Sequence, residues 1–190
     1  EEGLGNLRGM SAIVERFGGN VTAYLVLEGL ALGYIYHRAI GVKRCRITIR
    51  APGGHPWSHP ETPSATHLLG KLIATLSALR LPSQPRTTLN IGRIAGGSGI
   101  NVIAAEAWLE LDLRSEKAET LQEVWQSILT SVKSLHQPRV TIEIEPLGER
   151  PAGEIAPHHP LIQLARECLL HQGIEAVLTS GSTDANIPLS

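Results

Sequence analysis

The chain has 190 residues and a formal net charge of −1, with 42% apolar and 18% charged residues. This composition predicts one ordinary globular domain or two small ones, and it excludes a disordered chain. The balanced charge argues against nucleic acid and against an anionic membrane surface as partners, and no apolar run approaches the roughly 20 residues of a membrane span.

Residues 21–27 form a nearly unbroken apolar run that ends at Glu28. Such a run predicts a strand buried on both faces of a parallel sheet. Glu28 would then lie at the carboxyl end of that strand, where open α/β sheets place their sites. The alternative for Glu28 is a strand-end carboxylate that points into water.

The middle of the chain predicts six elements in the order β-α-β-β-α-β. Apolar residues alternate with arginine and threonine in the first strand, which gives it one wet, basic face. The strands and amphipathic helices cover residues 44–50, 68–79, 87–94, 105–114, 118–135 and 140–145. Four strands whose apolar face is covered by two helices form a ferredoxin-like open sandwich.

The last part of the chain is typical of an α/β domain. His159-Pro160 begins a predicted helix that Gly173 ends, and residues 176–178 predict a short buried strand. The predicted fold class is therefore α/β with an α+β insertion. Residues 1–42 and 148–190 would be fragments of one domain, and residues 43–147 the inserted module.

Two cysteines, Cys45 and Cys168, lie in segments with apolar patterning. Two cysteines are too few for a disulfide framework, so we expect buried thiols in a reducing compartment, the cytoplasm.

Three polar residues in the first third of the chain suit hydrolytic chemistry. Glu1 and Glu2 would point opposite ways on an extended backbone, so that one could bind a metal while the other handles a proton. The alternative is a solvated acidic terminus. Gly53 and Gly54 let the backbone bend and present His55 at a strand end, although histidines in proline-rich surface loops are also common.

Two further positions, Asn101 and Arg114, could bind a polar ligand. The glycine-rich turn at 96–99, with Asn101, could offer donors to a carboxylate or be a permissive hairpin turn. Arg114, close to Asp112 on a wet strand face, fits either ligand binding or a surface ion pair. The loops that hold Arg150 and Gly181 carry no signal by themselves.

Taken in chain order, these short motifs resemble the aminoacylase / acetylornithine deacetylase / peptidase T / carboxypeptidase G family of co-catalytic zinc metallopeptidases. The matching stretches are Glu1-Glu2-Gly3-Leu4-Gly5, Leu25-Val26-Leu27-Glu28-Gly29, Gly53-Gly54-His55, Gly96-Gly97 with Asn101-Val102-Ile103, Leu111-Asp112-Leu113-Arg114, Arg150-Pro151-Ala152-Gly153 and Gly181-Ser182-Thr183-Asp184-Ala185-Asn186. The inserted module lies where this family keeps its lid, or dimerisation, domain.

The resemblance implies hydrolysis of a peptide or N-acyl amide bond in a small carboxylate-bearing substrate, with two divalent metal ions, usually zinc. It implies a general base at Glu1, metal ligands at Glu2 and Glu28, and a carbonyl-polarising group at His55 that acts in a partner subunit of a homodimer. It also implies four substrate-binding positions, which are Asn101, Arg114, Arg150 and Gly181.

One departure from the family pattern limits this expectation. The family's site needs a His-x-Asp pair before the Glu-Glu and a further histidine after the last motif, and this sequence contains no His-x-Asp. Two carboxylates without imidazole ligands hold two zinc ions weakly. We therefore expect the chain to be an inactive piece of a longer hydrolase. The alternatives are a non-catalytic dimerisation or substrate-binding module and a pseudoenzyme.

Overall fold

The structure is a computed structural model that describes residues 6–29 and 32–190. In chain order its helices and strands are α1 (Arg8–Phe17), β1 (Tyr34–Ala39), β2 (Gly41–Arg50), α2 (Ala65–Ser77), β3 (Thr87–Gly96), β4 (Glu106–Ser115), α3 (Ala118–Lys133), β5 (Thr141–Arg150), β6 (Gly153–Glu154), α4 (Pro160–His171), β7 (Val177–Gly181) and α5 (Asn186–Leu189).

The chain divides into two compact units, each formed by separate stretches of sequence. Unit 1 contains the residues up to Val42, Arg114–Ala118 and Glu149–Ser190. Unit 2 contains Lys43–Leu113 and Glu119–Gly148. The short stretch Arg114–Ala118 belongs to unit 1, although the chain on both sides of it belongs to unit 2.

Unit 2 is the predicted ferredoxin-like module. Its sheet has the order β3-β4-β2-β5, so that the first and third strands of the module are central. The apolar residues of β2 and β4 alternate toward the two helices, where Ile47, Leu109, Leu72 and Ile128 are fully buried. The fold class predicted from the sequence, mixed α/β with this inserted module, is confirmed.

The other face of this sheet carries paired charges around one tryptophan. Arg46 donates to Glu110 at 2.6 Å, and Arg93 donates to the other oxygen of the same carboxylate at 3.0 Å. The two guanidinium carbons lie 4.5 and 5.4 Å from the ring centre of Trp108. The hydrogen bond from Arg46 is the main reason that the pKa of Glu110 is lowered. The wet, basic face predicted from the alternation is therefore neutralised by acids of β4.

Unit 1 contains a three-stranded sheet in the order β6-β1-β7, in which β7 runs parallel and β6 antiparallel to β1. The sequence did not predict β1, because Tyr34–Ala39 is neither a continuous apolar run nor a strict alternation. Pairing on both sides makes this segment a strand, and such pairing is a tertiary effect. The predicted strand at 176–178 is present as part of β7, but it is only partly buried.

The predicted buried strand at residues 21–27 is wrong. The segment forms no strand, and its Leu25 and Leu27 side chains are 74% and 94% exposed. An apolar run becomes a strand only where another strand offers it hydrogen bonds, and none of the strands in the described part of the chain pairs with it. The segment instead lines an apolar cavity of about 720 Å³ together with β1 and α4.

The two thiols differ from each other. Cys45 is buried, and burial raises the pKa of its thiol to about 12. Cys168 on α4 is exposed, so the prediction that both thiols are buried is wrong for this residue. The apolar pattern of α4 did not separate its inner face from its outer face, and Ile162 is the residue of this helix that is buried.

Within residues 6–29 and 32–190, no helix is both long enough and apolar enough to cross a membrane.

Candidate active site

The loops that carry His55 and Asn101 are joined to each other in unit 2. Gly54 and Ile103 form an antiparallel bridge, in which the Ile103 amide donates to the Gly54 carbonyl at 2.8 Å. Gly53 and Gly54 have φ values of 72° and 145°, which a residue with a side chain rarely adopts. The two glycines therefore turn the chain sharply after β2 and bring the His55 loop alongside the Asn101 loop.

His55 is exposed at the start of a tight turn. Its carbonyl accepts from the amides of Ser58 and His59, and its Nδ1 accepts from the Trp57 amide at 3.3 Å. The bonds to the carbonyl fix the backbone of the turn at His55. The bond from the Trp57 amide occupies Nδ1, so that Nε2 is the nitrogen available to a ligand. Asn101 is also exposed.

A cavity of about 610 Å³ lies beside these two loops. Its lining includes Pro56, which follows His55, and Ile100 and Val102, which flank Asn101. Its other wall is the first turn of α2, where Thr66 and His67 contribute. The sequence did not single out His67, which directly precedes the apolar stripe of the predicted helix at 68–79. A polar side chain at the start of that helix was the available signal.

Arg150 and Gly181 are brought together in unit 1. The Arg150 side chain is buried, with 6% of its surface exposed, and its Nη1 donates to the Ser182 hydroxyl at 2.9 Å. A side chain at Gly181 would place its Cβ 2.4 Å from the Tyr36 ring. Gly181 thus permits β7 to approach β1 closely, while Arg150 binds the loop that follows β7.

Asn186 ends the motif that begins at Gly181, and the family resemblance implies no role for it. It is fully buried, and its side-chain amide nitrogen donates to the carbonyls of Ile40 and Pro151, both at 2.8 Å. Its Oδ1 accepts from the Thr183 amide at 2.8 Å. Asn186 therefore ties together the end of β1, the segment after Arg150 and the loop after β7.

Arg114 lies at the end of β4, in the stretch that belongs to unit 1. The structure therefore groups it with Arg150 and Gly181 rather than with Asn101, which belongs to unit 2. Asp112, two residues earlier, accepts from Arg44 at 2.6 Å and so forms an ion pair with β2.

The expected metal ligands are not assembled by the described part of the chain. Glu1 and Glu2 lie outside the described residues. Glu28 is exposed and follows an extended segment that is not a strand, so the prediction that it lies at the end of a buried strand is wrong. Among residues 6–29 and 32–190, no group of three histidine, cysteine, aspartate or glutamate side chains could hold a metal ion.

Solved structures about twice as long as this chain share its fold. An aminopeptidase PepT from Bacillus cereus superposes with a TM-score of 0.76 and 22% identity over 96% of this chain and 49% of its own. A tripeptidase from Staphylococcus aureus superposes with a TM-score of 0.73 and 22% identity, over 96% of this chain and 49% of its own. An aminobenzoyl-glutamate utilization protein from Klebsiella pneumoniae superposes with a TM-score of 0.68 and 20% identity, over 84% of this chain and 43% of its own.

The chain thus spans about half the length of the solved structures it matches. No curated protein sequence matches it. The sequence profile of the peptidase dimerisation domain of M20 peptidases matches residues 39–139, which is more than half of the chain. The chain therefore belongs to the M20 peptidase dimerisation domain family.

Proposed function

We propose that this chain is part of a metal-dependent hydrolase that cleaves a peptide or N-acyl amide bond in a small substrate with a free carboxylate. The observation that carries the proposal is the pairing of the His55 and Asn101 loops through Gly54 and Ile103 in a unit of the peptidase dimerisation family. An imidazole and a carboxamide on adjoining loops can act on one substrate, with one group polarising a carbonyl and the other binding a carboxylate.

The roles of the individual residues are part of the proposal. His55 would stabilise the oxyanion that develops on the scissile carbonyl, and Asn101 and Arg114 would bind the substrate carboxylate. Arg150 and Gly181 would shape the substrate side of unit 1. The aminopeptidase and the tripeptidase among the solved structures support a peptide as the substrate.

A bound pair of zinc ions would supply a water of lowered pKa as the nucleophile. Glu2 and Glu28 would be ligands and Glu1 the general base. The described residues do not complete such a donor set. In the complete hydrolase, Glu1→Gln is expected to leave the zinc content unchanged and to abolish hydrolysis, and unchanged hydrolysis would contradict the general-base role.

A pair of histidine variants tests the proposal most directly. His55 and His59 are both exposed and lie four residues apart in the same loop. In the complete hydrolase, assayed with zinc against dipeptides, tripeptides and N-acetyl amino acids, His55→Ala should lower kcat by about a hundredfold or more, the typical cost of one lost oxyanion donor. His59→Ala should leave kcat unchanged. Equal effects would refute the role of His55, and no hydrolysis by the unaltered protein would favour a non-catalytic binding module.

The family match also supports a homodimer formed through unit 2, and the two sheet edges indicate which strand pairs. The outer strand β5 carries Pro146 and three glutamates, which are features that block pairing with another strand. The other outer strand, β3, has no proline and a single charge at Arg93, and Ile94 is 61% exposed. We propose that β3 pairs with β3 of a second copy.

One substitution on each edge distinguishes these surfaces. Ile94→Lys on β3 should convert the dimer to a monomer in sedimentation velocity, because it places two like charges near the two-fold axis. Leu147→Lys on β5, where the leucine is 45% exposed, is the matched control and should leave the dimer intact. A dimer that survives Ile94→Lys, or one that is lost with Leu147→Lys, would refute pairing through β3.

A further inference from the structure

Three residues form a cross-strand row on the sheet of unit 1. Arg38 on β1 lies opposite Glu154 on β6 and opposite Ser180 on β7. Residues directly opposite each other in neighbouring strands project their side chains to the same face. The row therefore places an acidic, a basic and a hydroxyl group side by side. Its hydroxyl residue, Ser180, directly precedes Gly181.

The stretch Arg114–Ala118 contacts this row with complementary charges. Glu116 Oε1 accepts from the Ser180 hydroxyl at 3.0 Å and lies 4.0 Å from Arg38 Nη1. Lys117 Nζ forms an ion pair with Glu154. Glu116 and Lys117 thus each meet a group of opposite charge, and an exchange of either sign would create a repulsion.

The local backbone supports the same contact. Ser115 is fully buried, and its hydroxyl accepts from the Lys117 amide at 3.3 Å. β4 ends at Ser115, and Arg114 and Glu116 on either side of this buried residue are both partly exposed. Arg114 is thus separated from Glu116 by a single buried residue.

We propose that Glu116 and Lys117 are positioning residues that hold Arg114 at the Gly181 loop, where Arg114 binds the substrate carboxylate. Glu116 contacts the residue that precedes Gly181, and Arg150 contacts the residue that follows it. The two contacts enclose the loop from both sides. The inference rests on the proposed function for the role of Arg114, while the contact itself stands on geometry alone.

Kinetics of the complete hydrolase test the positioning role. Glu116→Ala should raise KM for a carboxylate-bearing substrate about tenfold, the scale of one lost hydrogen bond to a charged group, and leave kcat within about twofold. Glu119→Ala, an exposed acidic residue three positions further along, is the matched control and should change neither constant. An unchanged KM in Glu116→Ala, or an equal fall in kcat, would overturn the positioning role.

A charge exchange tests the second contact. Lys117→Glu and Glu154→Lys should each raise KM. The double variant should restore it in part, because the ion pair is rebuilt with reversed signs while the new lysine at position 154 faces Arg38. A double variant no better than the worse single variant would overturn the role of Lys117.

Hydrogen exchange of the 190-residue chain separates this inference from the proposed function, because it needs no substrate and no metal. Glu116→Ala should speed the exchange of the amides of residues 114–118 about tenfold relative to Glu119→Ala. Unchanged exchange would overturn the contact, whatever the hydrolase does. Faster exchange, together with no hydrolysis by the complete hydrolase without substitutions, would support the contact and refute the proposed function.

Discussion

Replacement of Asn186 by alanine should destabilise unit 1 selectively. The substitution removes three hydrogen bonds of 2.8 Å and leaves two partly buried carbonyls and one buried amide without these partners. Each orphaned backbone group costs about 1–3 kcal/mol, and relaxation with entry of water recovers part of that cost. We therefore expect a loss of about 3 kcal/mol in the free energy of unfolding of unit 1.

Two probes report the units separately. All three tryptophans, Trp57, Trp108 and Trp125, lie in unit 2, so that tryptophan fluorescence during urea unfolding follows that unit. Hydrogen exchange of peptides from β1 and β7 follows unit 1. A loss of 3 kcal/mol corresponds to exchange faster by about two orders of magnitude in these peptides, with little change in the urea midpoint of fluorescence.

The control for this variant is Asn90→Ala, which removes an exposed amide on β3. It should change neither probe. Asn186→Asp keeps the acceptor for Thr183 but turns a carboxylate toward two carbonyl oxygens, so it should be at least as harmful as alanine. The reasoning would be refuted if β1 and β7 kept their protection in Asn186→Ala, or if the fluorescence midpoint fell as much as the unit 1 stability.

Three further outcomes are expected. Leu72→Ala, at a fully buried position in unit 2, should cost about 2–5 kcal/mol by tryptophan-monitored urea unfolding, and a cost below 1 kcal/mol would contradict its place in the core. A thiol reagent at pH 8 should label Cys168 alone in the folded chain and Cys45 as well only in urea, because burial raises the pKa of Cys45 to about 12; rapid double labelling of the folded chain would contradict this. The hydrogen bond from Lys117 lowers the pKa of Glu154. The stabilising contribution of this ion pair is therefore complete above the usual pKa of 4.5 and disappears as the pH falls through the lowered pKa. A Glu154→Gln variant should lose less stability on acidification, and an acid profile identical to that of the unaltered chain would contradict the pairing.

The sequence by itself determined the architecture of unit 2. Its strands and helices alternate apolar and polar residues with periods of 2 and 3.6, and each buries one face, so that local pattern and global packing agree. The order of the elements then leaves few topologies, and the observed sheet order β3-β4-β2-β5 is that of the expected sandwich. Glycine pairs at Gly53-Gly54 and Gly96-Gly97 marked the two loops that the structure joins.

The sequence also predicted α4 and the strand at 176–178 in unit 1, but only the tertiary structure decided how the sheet of this unit is paired. Strand β1 exists because β6 and β7 pair with it, whereas the more apolar segment at 21–27 remains without a strand partner in the described part of the chain. Pairing partners are distant in sequence, and no local pattern encodes them. The same holds for the contacts of Glu116 with Ser180 and of Asn186 with Ile40, which join residues 64 and 146 positions apart. Period and composition specify which residues are buried within an element, but only the packed chain specifies which polar groups meet.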